Sequence, residues 1–158
     1  MEPRILQFKE KLVVGISADM SIINNKTGEL WRTLRSRAGE ISSRNSAEFI
    51  SLQLYPPGYF DDFDPNNTFT KWACVEVSTL NHIPLNMHYL TIPADLYAVF
   101  DYVGSSRDAG IFQYIYGEWV PNSMYRLDDR PHFEVLGDAY KHNDPTSKEE
   151  IWIPIIQK

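Results

Sequence analysis

The sequence predicts an α+β fold: two pseudosymmetric strand–helix–strand–strand repeats joined in one antiparallel sheet, with both helices on one face and a central groove between them. Three observations carry that expectation. The order strand–helix–strand–strand occurs twice along the 158 residues. Each helix has one apolar stripe and so needs one surface to pack against. Matching strands recur at similar offsets. Phe49 and Phe133 open equivalent strands 84 residues apart (133 − 49), and Val75 and Ile153 lie in equivalent closing strands 78 apart (153 − 75). The offset falls because the first half has the longer loop.

The elements follow in order. "KLVVGIS" (Lys11 to Ser17) is short and β-branched, and reads as a strand. "NNKTGELWRTLRSRAGEI" spaces Leu30, Trp31, Leu34, Ala38 and Ile41 along one helical stripe, with Arg32, Arg35 and Arg37 between them. Asn25 or Thr27 caps its start. "FISLQLY" alternates as a strand, "PPGYFDDFDPNNT" is a loop by composition, and "FTKWACVEV" is the next strand. "MHYLTIP" (Met87 to Pro93) reads as an extra strand joining the halves, which span about residues 9–78 and 95–156 of a single domain. "LYAVFDYVG" opens the second half. "SSRDAGIFQYIYGEWV" is its helix, with Ser105 and Asp108 at capping-box spacing and a stripe of Ile111, Phe112, Ile115, Tyr116 and Trp119. "HFEVL" and "EIWIPI" supply the last two strands.

Composition narrows the function classes. A net charge of −6 repels DNA phosphates and favours attraction to cations. The first strand begins near Lys11, which leaves no room for a helix-turn-helix before it. Direct nucleic-acid binding is therefore not expected. No apolar run reaches signal-peptide or membrane-span length, so neither is expected, and the sequons "NKT" and "NNT" read as chance matches. The lone Cys74, between Ala73 and Val75, reads as a buried thiol, which suits a cytoplasmic protein. Core packing accounts for many of the eight Phe, nine Tyr and four Trp, and their number leaves room for an aromatic-lined pocket.

Chemistry-bearing patterns are few. His82, His88, His132 and His142 show no metal-ligand spacing. "DDFDPNN" starts like a calcium loop, but Asn67 and Ala73 stand where that loop needs glycine and glutamate. There is no phosphate loop and no nucleophile elbow, so no metal or cofactor is expected. Trp31 and Trp119 on the helix stripes read as core or as pocket wall, as do Tyr102, Tyr114 and Tyr116. Glu134, between Phe133 and Val135, is either a solvent-facing strand residue or a carboxylate aimed at something.

The runs "YAVFDYVG", "WVPNSMYRLDDRPHFEVL" and "EEIWIPI" resemble the second half of the gyrase-inhibitor-like small-molecule-binding family. The same domain is the effector-binding module of AraC-type and MerR-type multidrug-responsive regulators. The specific part spans about residues 92 to 156, and the first half matches more loosely but in the right order. The resemblance implies an aromatic pocket holding the glutamate of the Phe–Glu pair, here Glu134, and ligands that are lipophilic aromatic cations. Many relatives carry an aromatic two places after that glutamate, where this chain has Leu136. The expected function is binding of amphipathic cationic aromatics by a stand-alone domain. Glu134 is the charge partner, and Trp31, Trp119, Tyr116 and Phe112 are candidate walls. Two alternatives stand beside it. One is a hydrolase of strained-ring natural products, with Glu134 as general acid or base. The other is a gyrase-inhibitor-type protein that contacts DNA gyrase.

Overall fold

A computed structural model describes residues 1–158. It contains nine strands, all paired antiparallel, and two helical segments. In chain order these are β1 (Arg4–Phe8), β2 (Lys11–Met20), α1 (Thr27–Arg37), β3 (Phe49–Leu54), β4 (Phe69–Val77), β5 (His88–Ile92) and β6 (Asp95–Val103). The second helical segment opens as α2 (Gly110–Tyr114), widens into a π turn (Ile115–Trp119) and closes as α3 (Val120–Asn122). β7 (Tyr125–Leu127), β8 (His132–Leu136) and β9 (Lys148–Gln157) complete the chain.

The strand order is β1-β6-β9-β8-β3-β4-β2-β5, with β7 added beside β9. Read outward from the central pair, β8 and β3 correspond, then β9 and β4, β6 and β2, β1 and β5. The two outermost strands are exchanged: β1 precedes β2 but pairs with β6, and β5 precedes β6 but pairs with β2. The joining strand is therefore the first strand of the second half. Its counterpart "RILQF" was not expected from the sequence. Neither was the three-residue β7.

Closure of the sheet follows from connectivity. Only Lys9 and Glu10 separate β1 from β2, a link that spans at most about 10 Å, yet the two strands lie toward opposite ends of the order. The sheet must roll until its ends approach. The rolled-in face is a core of its own, with Phe8 from one end meeting Val13 and Ile92 from the other, around Tyr97 and Phe133. Gly15 permits the close approach of β4, for a Cβ there would lie 2.6 Å from Cα of Cys74. Cys74 is fully buried in this core. Pro154 marks the point where β9 leaves β8 and gains β7, so its missing N–H interrupts neither ladder.

Both helices pack on the outer face, each over its own cluster. Leu30 and Leu34 of α1 bury against Val14, Ala73 and Val75. Ile111, Ile115 and Val120 bury against Ala98, Phe100 and Ile153. Several details differ from the sequence expectations. Asn25 does accept a hydrogen bond from the Thr27 N–H, at 2.9 Å, but α1 has no side-chain cap. The Ser105/Asp108 capping box is absent. The helix starts at Gly110, and the two side chains accept from Arg107 N–H and Gly110 N–H in local turns. The 84-residue match of Phe49 to Phe133 fails by one residue. Phe49 lies on the helix face, 5.9 Å from the Trp31 ring, whereas Phe133 stacks on Trp152 in the rolled core. A one-residue shift exchanges the faces of a strand, and equal letters at a constant offset do not report it.

Candidate functional site

The two helices sit over the two flanks of the sheet and leave the central strands uncovered between them. The result is a groove of about 720 Å³, within the range of small-molecule sites. Its floor is set by alternation along four adjacent strands. On β8, Phe133 and Val135 face the rolled core, so Glu134 and Leu136 face the groove. Ser51 of β3 lies directly opposite Glu134 in register. Lys71 of β4 and Glu149 of β9 flank this pair. They are 78 residues apart (149 − 71), the same offset that relates Val75 to Ile153. The two flanks thus carry opposite charges at corresponding positions.

Glu134 is 9% exposed, and that surface opens into the groove. Gln53 Nε2 donates to its Oε2 at 3.1 Å. Burial raises its carboxyl pKa, while Lys71 and the Gln53 hydrogen bond pull it back. Glu149 is pushed up to about 7, chiefly by burial and then by the charge of Glu134. Burial lowers the Lys71 ammonium, and both carboxylates oppose that shift. No oppositely charged side chain lies within 4.0 Å of any of the three, for the ion pairs all lie elsewhere.

Trp31, Arg32 and Arg35 of α1 form one wall, and Phe112 of α2 stands on the other. Arg35 lies over the Phe49 ring at 4.5 Å and over that of Trp31 at 5.5 Å. Tyr102 and Tyr140 add aromatic surface beside Glu149. One end of the groove is filled by an aromatic cluster. Phe60, from the long loop after β3, stacks on Tyr116 at 4.4 Å and on His132 at 5.6 Å. The Tyr116 hydroxyl and His132 Nδ1 share a hydrogen bond of 2.8 Å. Burial, then the charge of Arg130, lowers His132 to about 3, so the ring that shares this hydrogen bond with Tyr116 is neutral at ordinary pH.

Of the residues singled out from the sequence, Glu134, Trp31 and Phe112 come together in the groove. Tyr116 sits behind Phe112 in the end cluster and does not line it. Trp119 is placed elsewhere. It packs edge-on against Phe100 at 5.3 Å and lines a separate cleft with Pro3, Ile5 and Tyr125. The π turn explains this. A helix of period 3.6 would follow Ile115 with residue 119 on the buried stripe, but the extra residue brings Val120 there instead, with its N–H bonded to the Ile115 carbonyl. Trp119 is rotated off the stripe. Lys71, Glu149, Ser51 and Gln53 were missed. A signal existed for two of them: Lys71 is in phase with Ala73, Val75 and Val77, and Glu149 with Ile151, Ile153 and Ile155. A charge in phase with the apolar side of a strand is worth singling out.

Comparison with known proteins places this geometry. The family model of the GyrI-like small molecule binding domain matches residues 1–156. A curated relative, the transcriptional regulator BrlR of Pseudomonas aeruginosa, is 27% identical over 157 residues, covering 98% of this chain and 56% of the regulator. The chain thus spans little more than half of that relative's length. The structure of SAV2435 bound to tetraphenylphosphonium superposes with a TM-score of 0.74 at 17% identity, covering 99% of this chain and 94% of the other. EcmrR in a DNA complex gives 0.72 at 14% identity, covering 99% of this chain and 58% of the other. At these identities the likeness to the solved structures is one of fold.

Proposed function

The chain belongs to the GyrI-like small-molecule binding domain family, and on that premise we propose that its interhelical groove binds lipophilic aromatic cations, with Glu134 as their charge partner. The observation that carries the reading is a carboxylate 9% exposed, open to an aromatic-walled groove and lacking a paired cation. A buried carboxylate without a counter-charge is unfavourable, and a bound cation supplies that charge. Trp31, Phe112 and Tyr102 offer ring faces that attract a cation further. Leu136 stands on the groove floor beside Glu134, where many relatives have an aromatic, and makes that part of the site aliphatic. Binding of tetraphenylphosphonium by SAV2435, a neighbour of the same fold, supports the ligand class. The role is that of an effector-binding or sequestering domain with no nucleic-acid contact of its own, in keeping with the net charge of −6. No helix is long and apolar enough to cross a membrane.

Calorimetry with tetraphenylphosphonium tests the reading. Glu134→Gln keeps the shape and removes the charge, and the cation loses roughly 2–5 kcal/mol, the scale for truncating one partner of a buried charge pair. A neutral tetraphenyl analogue loses much less. Equal affinity of wild type and Glu134→Gln for the cation returns Glu134 to a structural role.

A second reading rests on the two groove carboxyls with raised pKa, Glu134 and Glu149, since a general acid needs a carboxyl still protonated near neutral pH. Multiple turnovers of a strained-ring substrate, abolished in Glu134→Gln, identify a hydrolase, whereas stoichiometric binding without product excludes that role.

A further inference from the structure

The groove is divided by charge. Lys71 on β4, with Arg32 and Arg35 above it on α1, makes one side positive. Glu134 on β8 and Glu149 on β9, with Asp108 at the start of the second helical segment, make the other side negative. Strands β4 and β8 are two spacings apart in the sheet order, about 10 Å. The charges act on one another across the groove, but they form no ion pair. Lys71, Glu134 and Glu149 have no ion-pair partner, and Arg32 has none either. Arg35 lies over aromatic rings and not against a carboxylate. A ligand that carries only a cation satisfies the Glu134 side and leaves the Lys71 ammonium to be desolvated beside it, at a cost.

Resting on the reading of the groove as a site for aromatic cations, we infer that its preferred ligands are zwitterionic aromatics, with the cationic group toward Glu134 and Glu149 and an anionic group such as a carboxylate toward Lys71 and Arg32. The aromatic body lies between Trp31 and Phe112, which stand on the two facing walls. Specificity of this kind has two parts. The anionic group gains a charge-assisted hydrogen bond at Lys71. A ligand without it leaves a partly buried ammonium unpaired, and unpaired buried groups discriminate strongly between substrates.

Calorimetry on the whole chain with three probes tests this: norfloxacin, which bears a piperazinium and an aryl carboxylate at opposite ends; its ethyl ester, which keeps only the cation; and tetraphenylphosphonium. In the wild type, norfloxacin binds at least ~10-fold more tightly than its ester, the scale of one charge-assisted contact. Lys71→Met removes the charge at nearly constant volume. It weakens norfloxacin to the level of the ester and leaves the ester and tetraphenylphosphonium unchanged or tighter. Arg32→Ala, at an exposed helix position, shifts norfloxacin in the same direction by a smaller factor and guards against misfolding of the Lys71 variant. Ester binding equal to or tighter than norfloxacin in the wild type overturns the zwitterion inference and leaves the cation reading standing. Failure of all three probes to bind overturns both.

Discussion

Phe133 and Glu134 are neighbours in β8, yet they lie on opposite sides of the sheet and serve opposite purposes. Phe133 points into the rolled face. It stacks on Trp152 with ring centroids 5.3 Å apart and meets Tyr97 at 5.3 Å and Phe8 at 5.4 Å, all within one closed apolar cluster. Glu134 points to the helix face, where the helices cover the flanks and leave the centre open. The first face holds strands from both ends of the order together. The second holds ionisable groups of both signs, kept unpaired. The difference teaches that one strand can commit alternate residues to stability and to binding, so that mutations one position apart report on different properties.

The largest expected effect breaks the closed face. Phe133→Ala removes a ring that is 2% exposed and should destabilise the fold by about 3–5 kcal/mol, read as a lowered denaturation midpoint. The folded fraction should bind tetraphenylphosphonium with nearly wild-type affinity. A large affinity loss at saturating stability would show that the two faces are not separable.

Acid should act on the groove's closed end. His132 has a folded-state pKa of about 3, below its unfolded value near 6.5. The unfolded chain therefore binds the extra proton between these values. The stability contribution of neutral His132 is present above about pH 6.5 and is lost as the pH falls toward 3, at most about 5 kcal/mol in all. His132→Gln should flatten that limb in urea titrations at successive pH values. An unchanged acid limb would assign it to other groups.

Glu149 should act with the opposite sign and less strongly. Its carboxyl is raised to about 7 from 4.5, so the folded state holds the extra proton between these values. Stability is full below about pH 4.5 and falls as the pH rises through 7. The loss is about 2 kcal/mol once its partial exposure is allowed for. Glu149→Gln should remove the fall. If the variant retains it, Glu149 is solvated and the groove's negative side is weaker than the geometry indicates.

The smallest effect separates the two helix tryptophans. Trp31→Ala should weaken tetraphenylphosphonium by about 1 kcal/mol, the scale of one ring face against a cation. Trp119→Ala should leave affinity unchanged, because Trp119 lies against Phe100 and outside the groove. Equal losses at both positions would mean that the second helical segment rearranges on binding.

Several features of this molecule were legible in the sequence because they are written in local periods. β-Branched content marked the strand at 11–17 and alternation the one at 49–55, and apolar spacing marked a stripe in which Leu30, Leu34, Ala38 and Ile41 are all buried. The apolar neighbours of Cys74 were enough to bury it. Glu134 stood out as a charge within an apolar strand, and the resemblance at "PHFEV" turned it toward the groove. Other features belong to the tertiary structure alone. The short "RILQF" strand is set by a partner, β6, some ninety residues away, and no local signal reports that pairing. Trp119 left the apolar stripe because one extra residue in a π turn resets the helical phase, and hydrogen-bond register is invisible to a count of apolar letters. Lys71 and Glu149, each near the start of its strand, were not singled out from the sequence. Only the sheet order places them on either side of Glu134, because charge complementarity depends on distances between strands that the chain closes from far apart.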